Sequence, residues 1–176
     1  MIENLTLVPD DHPLLSQTLP NYEFPADVDT VMVANKLAEL MFKYNGIGLS
    51  ANQVGLPYRI FVMRTAPNLT VCVNPRLVDV SQDVALLEEG CLSYPGLHVK
   101  IKRAAHIKVR YQTVTGETVT EKFTGLTARV FQHELDHMNG VNFMDRAGTM
   151  AKEIAMRKWG KLKKLNKLKR KFGYGR

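Results

Sequence analysis

His133, Glu134 and His137 stand as H-E-x-x-H inside Phe131-Gln132-His133-Glu134-Leu135-Asp136-His137-Met138, an apolar run of helical period. Residues four apart lie one above the other on a helix, so two imidazoles can meet one metal ion with the glutamate beside it. Neutral imidazole suits Zn, Fe or Ni, and a carboxylate that is not itself a ligand can take a proton from metal-bound water. The pentad alone also fits a surface helix carrying two ordinary histidines. A further ligand decides between the two readings.

Two cysteines are available. Cys72, within Val71-Cys72-Val73, reads as a small buried hydrophobe. Cys91 lies between Gly90 and the turn-forming Pro95-Gly96, in Glu88-Glu89-Gly90-Cys91-Leu92-Ser93-Tyr94-Pro95-Gly96. A catalytic metal commonly takes three protein ligands and leaves a fourth position to water, and a thiolate with two imidazoles is an accepted set. A third stretch, Gly46-Ile47-Gly48-Leu49-Ser50-Ala51-Asn52-Gln53-Val54-Gly55, is punctuated by glycines that permit positive φ and close backbone approach. It reads equally as a helix C-cap followed by a turn.

The elements that must position these residues follow from periodicity and punctuation. Residues 1–26 carry Pro9, Pro13, Pro20 and Pro25 and read as an irregular wrapping segment. A helix is expected from Asp27, capped by Asp27 or Asp29, with Val28, Val31, Met32, Leu37, Leu40 and Met41 on its apolar face and Asn45-Gly46 at its end. Residues 59–63, 69–73, 77–80 and 98–111 read as strands, and Thr115-Gly116 as a hairpin into 118–123. The H-E-x-x-H helix starts near Thr124 to Thr127, and a second, Lys- and Arg-rich helix runs from about Thr149 nearly to Gly173. With no internal repeat or linker, the pattern is one α+β domain with a basic C-terminal extension.

Composition limits what else the chain can be. Its 176 residues suffice for one core, and no apolar run approaches the roughly 20 residues that span a bilayer. The first basic side chain is Lys36, which predicts a cytoplasmic protein without a secretory or transit leader. Two cysteines are too few for a disulfide framework. From Lys152 onward eleven Lys and Arg face the single Glu153, so about +10 sits in the tail and about −3 in the remainder, giving the formal +7.

The three stretches, in this order, resemble the signature motifs of the peptide deformylases: G-x-G-L-x-A-x-Q over 46–53, E-G-C-L-S over 89–93 and Q-H-E-x-D-H over 132–137. The resemblance covers roughly Leu37 to Met144. Ser50 stands where the family usually has Ala, and Met138 where Leu is common. The resemblance implies antiparallel sheets packed around a central metal-binding helix, with 1–148 as the catalytic domain and 149–176 as a basic helical extension. It implies Cys91, His133 and His137 as ligands to one divalent ion per chain, Fe(2+) with Zn(2+) or Ni(2+) able to substitute. Glu134 becomes the general base and then the acid that protonates the departing amine. Activated water attacks the formyl carbon of an N-formylmethionyl peptide and formate leaves. The side-chain amide of Gln53 and the backbone N–H of Leu92 become the donors to the developing oxyanion.

By family position Gly46, Ile47, Gly48, Leu87, Glu89, Gly90, Leu126 and Val130 border the substrate, with Ile47, Leu87, Leu126, Val130 and the face of His133 forming an apolar pocket for the methionine side chain. Leu126, Val130 and His133 share one helical face, although core packing accounts equally for the aliphatic members. Asp136 faces elsewhere and reads as structural. His12, His98 and His106 have no ligand spacing.

Met156, Trp159, Leu162, Leu165 and Leu168 recur every three residues, so at about 100° per residue the stripe lags roughly 60° per step and winds around the tail helix. That makes a poor membrane amphipath. Its first turns can pack on the domain, and its lysine-rich end suits phosphate through counterion release. Some deformylases sit on the ribosome through such a helix, which implies contact with ribosomal RNA; a solvated tail is the alternative. The chain is expected to be a monomer. An H-E-x-x-H protease is the enzyme alternative, but Phe143 occupies the position of a metzincin third histidine and Glu153 reads as a surface partner for lysine. Intact Cys91, His133, Glu134, His137 and Gln53 argue against an inert ribosome- or nucleic-acid-binding protein.

Overall fold

The computed structural model describes residues 2, 4–24, 29–65 and 67–171. Pro25, Asp27, Val28 and Gly173, used in the expectations above, lie outside the described residues. The elements in chain order are α1 Thr30–Lys43, β1 Gly48–Ser50, β2 Ile60–Thr65, β3 Asn68–Val80, β4 Val84–Gly90, β5 His98–Ala104, β6 His106–Gln112, β7 Thr118–Thr124, α2 Gly125–Met138 and α3 Thr149–Lys171. Five strands pair antiparallel in the order β1-β2-β3-β6-β7, and β4 pairs antiparallel with β5 in a separate ribbon. The fold is α+β.

Asp29 caps α1 by accepting the backbone N–H of Val31 at 2.8 Å. The helix turns Val33, Leu37, Leu40 and Met41 inward, at spacings of three and four. Val31 and Met32, expected on that face, are 46% and 53% exposed because they lie beside the inward stripe that starts at Thr30. The chain leaves α1 through Asn45, at φ 55, with Gly46 N–H on Met41 C=O at 2.8 Å.

Helix α2 is the centre of the molecule. Ala128, Phe131, Leu135 and Met138 are buried with Phe61, Met63, Cys72, Val109 and Tyr111 of the larger sheet. Burying each large side chain of this kind contributes about 1.5–3 kcal/mol. Burial pushes the Cys72 thiol well up, so it behaves as a packing group.

Three strand expectations are corrected. Residues 69–73 and 77–80 belong to one strand, β3, interrupted by a register shift after Val73 where Asn74 takes φ 49 and Pro75 follows. Residues 98–111 form two strands in different sheets, separated at Ala105. Strand β4 was not expected at all, because Val84-Ala85-Leu86-Leu87-Glu88-Glu89 is rich in helix formers; its state follows from seven register pairs with β5.

Asn74 ties the N-terminal wrap to the sheet. Its Oδ1 accepts Tyr22 N–H at 2.7 Å, and its Nδ2 donates to Tyr22 C=O at 2.8 Å and to Gln112 Oε1 at 2.7 Å. Asn74→Ala loses all three bonds and leaves a strained backbone without its amide. We expect a loss of about 2–4 kcal/mol in unfolding free energy, read as a lower urea midpoint at constant m-value.

Candidate metal centre and substrate cavity

Helix α2 carries His133 and His137 one turn apart, with ring centroids separated by 5.2 Å. Cys91 follows directly on β4. Its Sγ lies 3.3 Å from His137 Nε2, and the ligand atoms of Cys91, His133 and His137 all lie within 4.8 Å of one another. A sulfur with two imidazole nitrogens is a donor set for a divalent first-row metal. Nδ1 of His137 and Oε2 of Glu134 are buried with no hydrogen-bond partner among the described residues. Unpaired buried polar atoms beside three converging soft and borderline donors fit a site built to hold an ion with its water.

Glu89 fixes this arrangement from behind. Its Oε2 meets His133 Nδ1 at 3.0 Å, Arg103 donates to both oxygens at 2.9 Å, and Arg129 Nη1 donates to Oε1 at 2.5 Å. Glu89 is 7% exposed, Arg103 6% and Arg129 5%, so these are buried charges that neutralise one another. Burial alone would raise the Glu89 carboxyl, but Arg103 and His133 hold it well below the usual carboxylate range. Arg103 continues to Asp136 at 2.6 Å, and Arg146 binds the other Asp136 oxygen at 2.6 Å. Asp136 is therefore a structural counter-ion.

His133 and His137 are shifted in opposite directions by their neighbours. Burial lowers both, yet contacts with Cys91 and Glu89 carry His133 up to about 10. Burial and the neighbouring His133 hold His137 well below the ordinary histidine value. Glu134 is pushed up to about 7 by burial, against the opposing charge of His133 and a hydrogen bond from Ser50.

The glycine-rich stretch brings backbone against this carboxylate. A Cβ on Gly48 would clash with Glu134 Oε1 and stand 2.9 Å from Val130 Cγ1, so only glycine lets β1 pass there. After β1, the 3-10 turn Ala51–Val54 presents Gln53. Ser50 N–H donates to Gln53 Oε1 at 2.9 Å and Ser50 Oγ lies 2.9 Å from the same oxygen, which turns Nε2 toward Cys91 Sγ at 3.4 Å and Ser93 Oγ at 3.0 Å. Asn52 ties the same turn to α2 by donating to His137 C=O at 2.9 Å.

A cavity of about 650 Å³ opens beside these groups. Gly46, Ile47, Gly48, Gln53, Glu89, Gly90, Cys91, Leu92, Leu126, Val130, His133 and Glu134 all line it. Its size and mostly apolar surface suit an apolar side chain with the backbone of a short peptide. Leu87, expected on this wall, is not among the residues that line the cavity, which β4 enters from Glu88; it stands 52% exposed. Leu92 also packs at the 46–48 loop, where a Cβ on Gly46 would stand 2.7 Å from Leu92 Cδ1. Arg103 and Arg129 are the residues that motif reading missed. Arg103 does carry a signal, since it continues the buried alternation Val99, Ile101, Arg103, and an inward-facing charge requires partners.

The polypeptide deformylase family pattern matches residues 4–153. A peptide deformylase of Thermotoga neapolitana is 46% identical over 123 residues, 70% of this chain and 74% of that protein. A crystal structure of a plant peptide deformylase superposes with TM-score 0.86 at 31% identity, covering 97% of this chain and 94% of that one. The peptide deformylase of Synechococcus elongatus in complex with actinonin superposes with TM-score 0.81 at 30% identity, covering 89% of this chain and 86% of that one.

Glu89→Gln leaves Arg103 and Arg129 buried without their shared anion and replaces the carboxylate acceptor on His133 with a neutral amide. We expect a loss of about 3–5 kcal/mol in stability and about 10- to 100-fold weaker binding of a divalent ion. Chemical denaturation and zinc titration against a chromophoric chelator measure the two effects.

Proposed function

This chain belongs to the polypeptide deformylase family, which removes the N-formyl group from nascent polypeptides, and we propose that Glu134 is the proton carrier of that reaction here. The family is metal-dependent, and we assign Cys91, His133 and His137 as ligands. A divalent ion held there would supply Lewis acidity, drawing a bound water toward deprotonation near neutral pH. Glu134 takes the water's proton and later gives it to the departing amine. A buried carboxyl with a pKa raised to about 7 suits both halves of that task. Gln53 Nε2, oriented by Ser50, and the backbone N–H of Leu92 serve as donors to the former formyl oxygen as it gains charge. The methionyl side chain enters between Ile47, Leu126 and Val130, while Gly46, Gly48, Glu89 and Gly90 shape the passage of the peptide. The observation that carries this reading is the convergence of three ligand atoms within 4.8 Å beside a buried carboxylate.

The finer assignments rest on the donor set and on charge. The resident ion is ferrous iron, with zinc or nickel able to take its place, since a thiolate with two imidazoles and open coordination accommodates each. Residues 1–148 carry the reaction and 149–176 form a basic extension that contacts ribosomal RNA, acting as a monomer in the cytoplasm where formylated chains emerge. No helix among the described residues is long and apolar enough to cross a membrane.

Formate release from formyl-Met-Ala tests the first reading. Wild type with metal present releases formate, and Glu134→Ala lowers kcat by about 10²- to 10⁴-fold at unchanged metal content; equal rates in the two proteins would remove Glu134 from its role. For the tail, reversing Lys161, Lys164, Lys167 and Lys169 to Glu should abolish cosedimentation with ribosomes at low salt while formate release persists. Undiminished pelleting would dismiss the RNA contact.

A further inference from the structure

Helix α3 contributes nothing to the ligand set, yet one of its turns touches two segments that line the cavity. Trp159, the sole tryptophan of the chain, donates its indole N–H to Pro95 C=O at 3.1 Å and meets the Tyr94 ring edge-on at 5.8 Å. Leu162 seats over Gly96, where an added Cβ would stand 2.5 Å from Leu162 Cδ2. Tyr94, Pro95, Gly96 and Leu97 form one wall of the cavity. Lys163 lies 4.5 Å above the Trp159 ring and pairs with Asp10, in the N-terminal segment whose Leu7 also reaches the cavity.

The 94–97 turn is braced from this side at Pro95 and Gly96. Its own backbone bonds are local, Tyr94 N–H to Cys91 C=O and Leu97 N–H to Tyr94 C=O, each at 3.0 Å. Gly96 takes φ +79, a conformation with little side-chain packing of its own. On its inner side, Tyr94 meets Phe143 at 6.0 Å, and Phe143 meets the ring of His133 at 5.4 Å. The turn is thus held between the aromatic residues of the domain and the indole of α3.

We propose that α3 positions the substrate cavity, with Trp159 and Leu162 acting as positioning residues that hold the 94–97 wall against bound peptide. The basic helix then has a second task beside its charge. This rests on the reading that the cavity receives the methionyl peptide. Because neither side chain reaches the reacting atoms, loss of the support acts on binding and leaves the chemical step alone.

Steady-state formate release from formyl-Met-Ala by the full-length, metal-loaded protein tests this. Trp159→Ala should raise KM by about tenfold with kcat within about twofold, and Leu162→Ala should do the same to a smaller extent without the larger loss of core packing. Trp159→Phe keeps a ring against Tyr94 and should recover most of the KM. In wild type, titration with the product Met-Ala should change the emission of Trp159 with the saturation midpoint of product inhibition. Ile47→Glu, which places a charge in the opposite wall, tests the cavity reading separately. A raised KM in Ile47→Glu with wild-type KM in both α3 variants overturns the proposal and leaves the cavity reading intact. A wild-type KM in all three overturns both.

Discussion

The buried carboxylate of Glu89 is the junction on which the rest of the site depends. It ties the β4–β5 ribbon to α2, binding Arg103 on β5 and both Arg129 and His133 on the helix. Cys91 lies two residues beyond it, so the anchoring of Glu89 fixes where the sulfur meets the imidazoles. Buried ion pairs offer little net stability against apolar replacements, but removing one member leaves charges in a low dielectric. The network therefore acts as a specification of geometry. It selects the one seating of the β4–β5 ribbon on α2 in which every charge has its partner.

Two carboxylates within this small volume are driven in opposite directions. Glu89 has two guanidiniums and an imidazole, and it stays ionised. Glu134 is equally buried but has an unpaired oxygen and no guanidinium in contact, and desolvation lifts it to about 7. Environments that push like groups apart divide their roles: one becomes a fixed anion that orients a ligand, the other a group able to hold or release a proton near neutrality. The space left at Gly48 serves the same end, because any side chain there would displace the Glu134 carboxylate from the cavity.

How much of this was legible in the sequence depended on whether local pattern and tertiary context agreed. Helices α1 and α2 have apolar residues at spacings of three and four, and His133, Glu134, His137, Gln53 and Cys91 stand in motifs, so the elements and the candidate ligand set could be read directly. The break at Ala105 could not. Buried residues fall on odd positions from Val99 through Tyr111 except at half-buried Ala105, so the alternation keeps its phase from β5 to β6 while the chain changes sheets. What separates the strands is tertiary: Ala105 N–H binds Asp83 C=O at 2.8 Å, and Ala105 C=O accepts Gly125 N–H at 3.0 Å. Asn74-Pro75 misled in the opposite sense, since a dipeptide that usually ends a strand here makes a bulge within one. Arg103 and Arg129 belong to no motif. Their role exists only once β4, β5 and α2 come together.

Helix α3 shows how simple helical arithmetic limits what a sequence stripe can do. Apolar residues spaced by three lag behind the helical turn, so they share a flat surface for only a few steps. Trp159 and Leu162 fall within that arc and pack on the turn that follows Cys91, while Ala155, one turn earlier, is buried in the same cluster as Trp159. Leu165 and Leu168 have rotated past it and are 49% and 52% exposed. Beyond Leu162 the helix has no apolar face left to offer the domain, and lysines occupy the surrounding positions. One element thus changes character along its length, from a brace against the cavity wall to a charged rod, and the lag of the stripe sets where the change occurs.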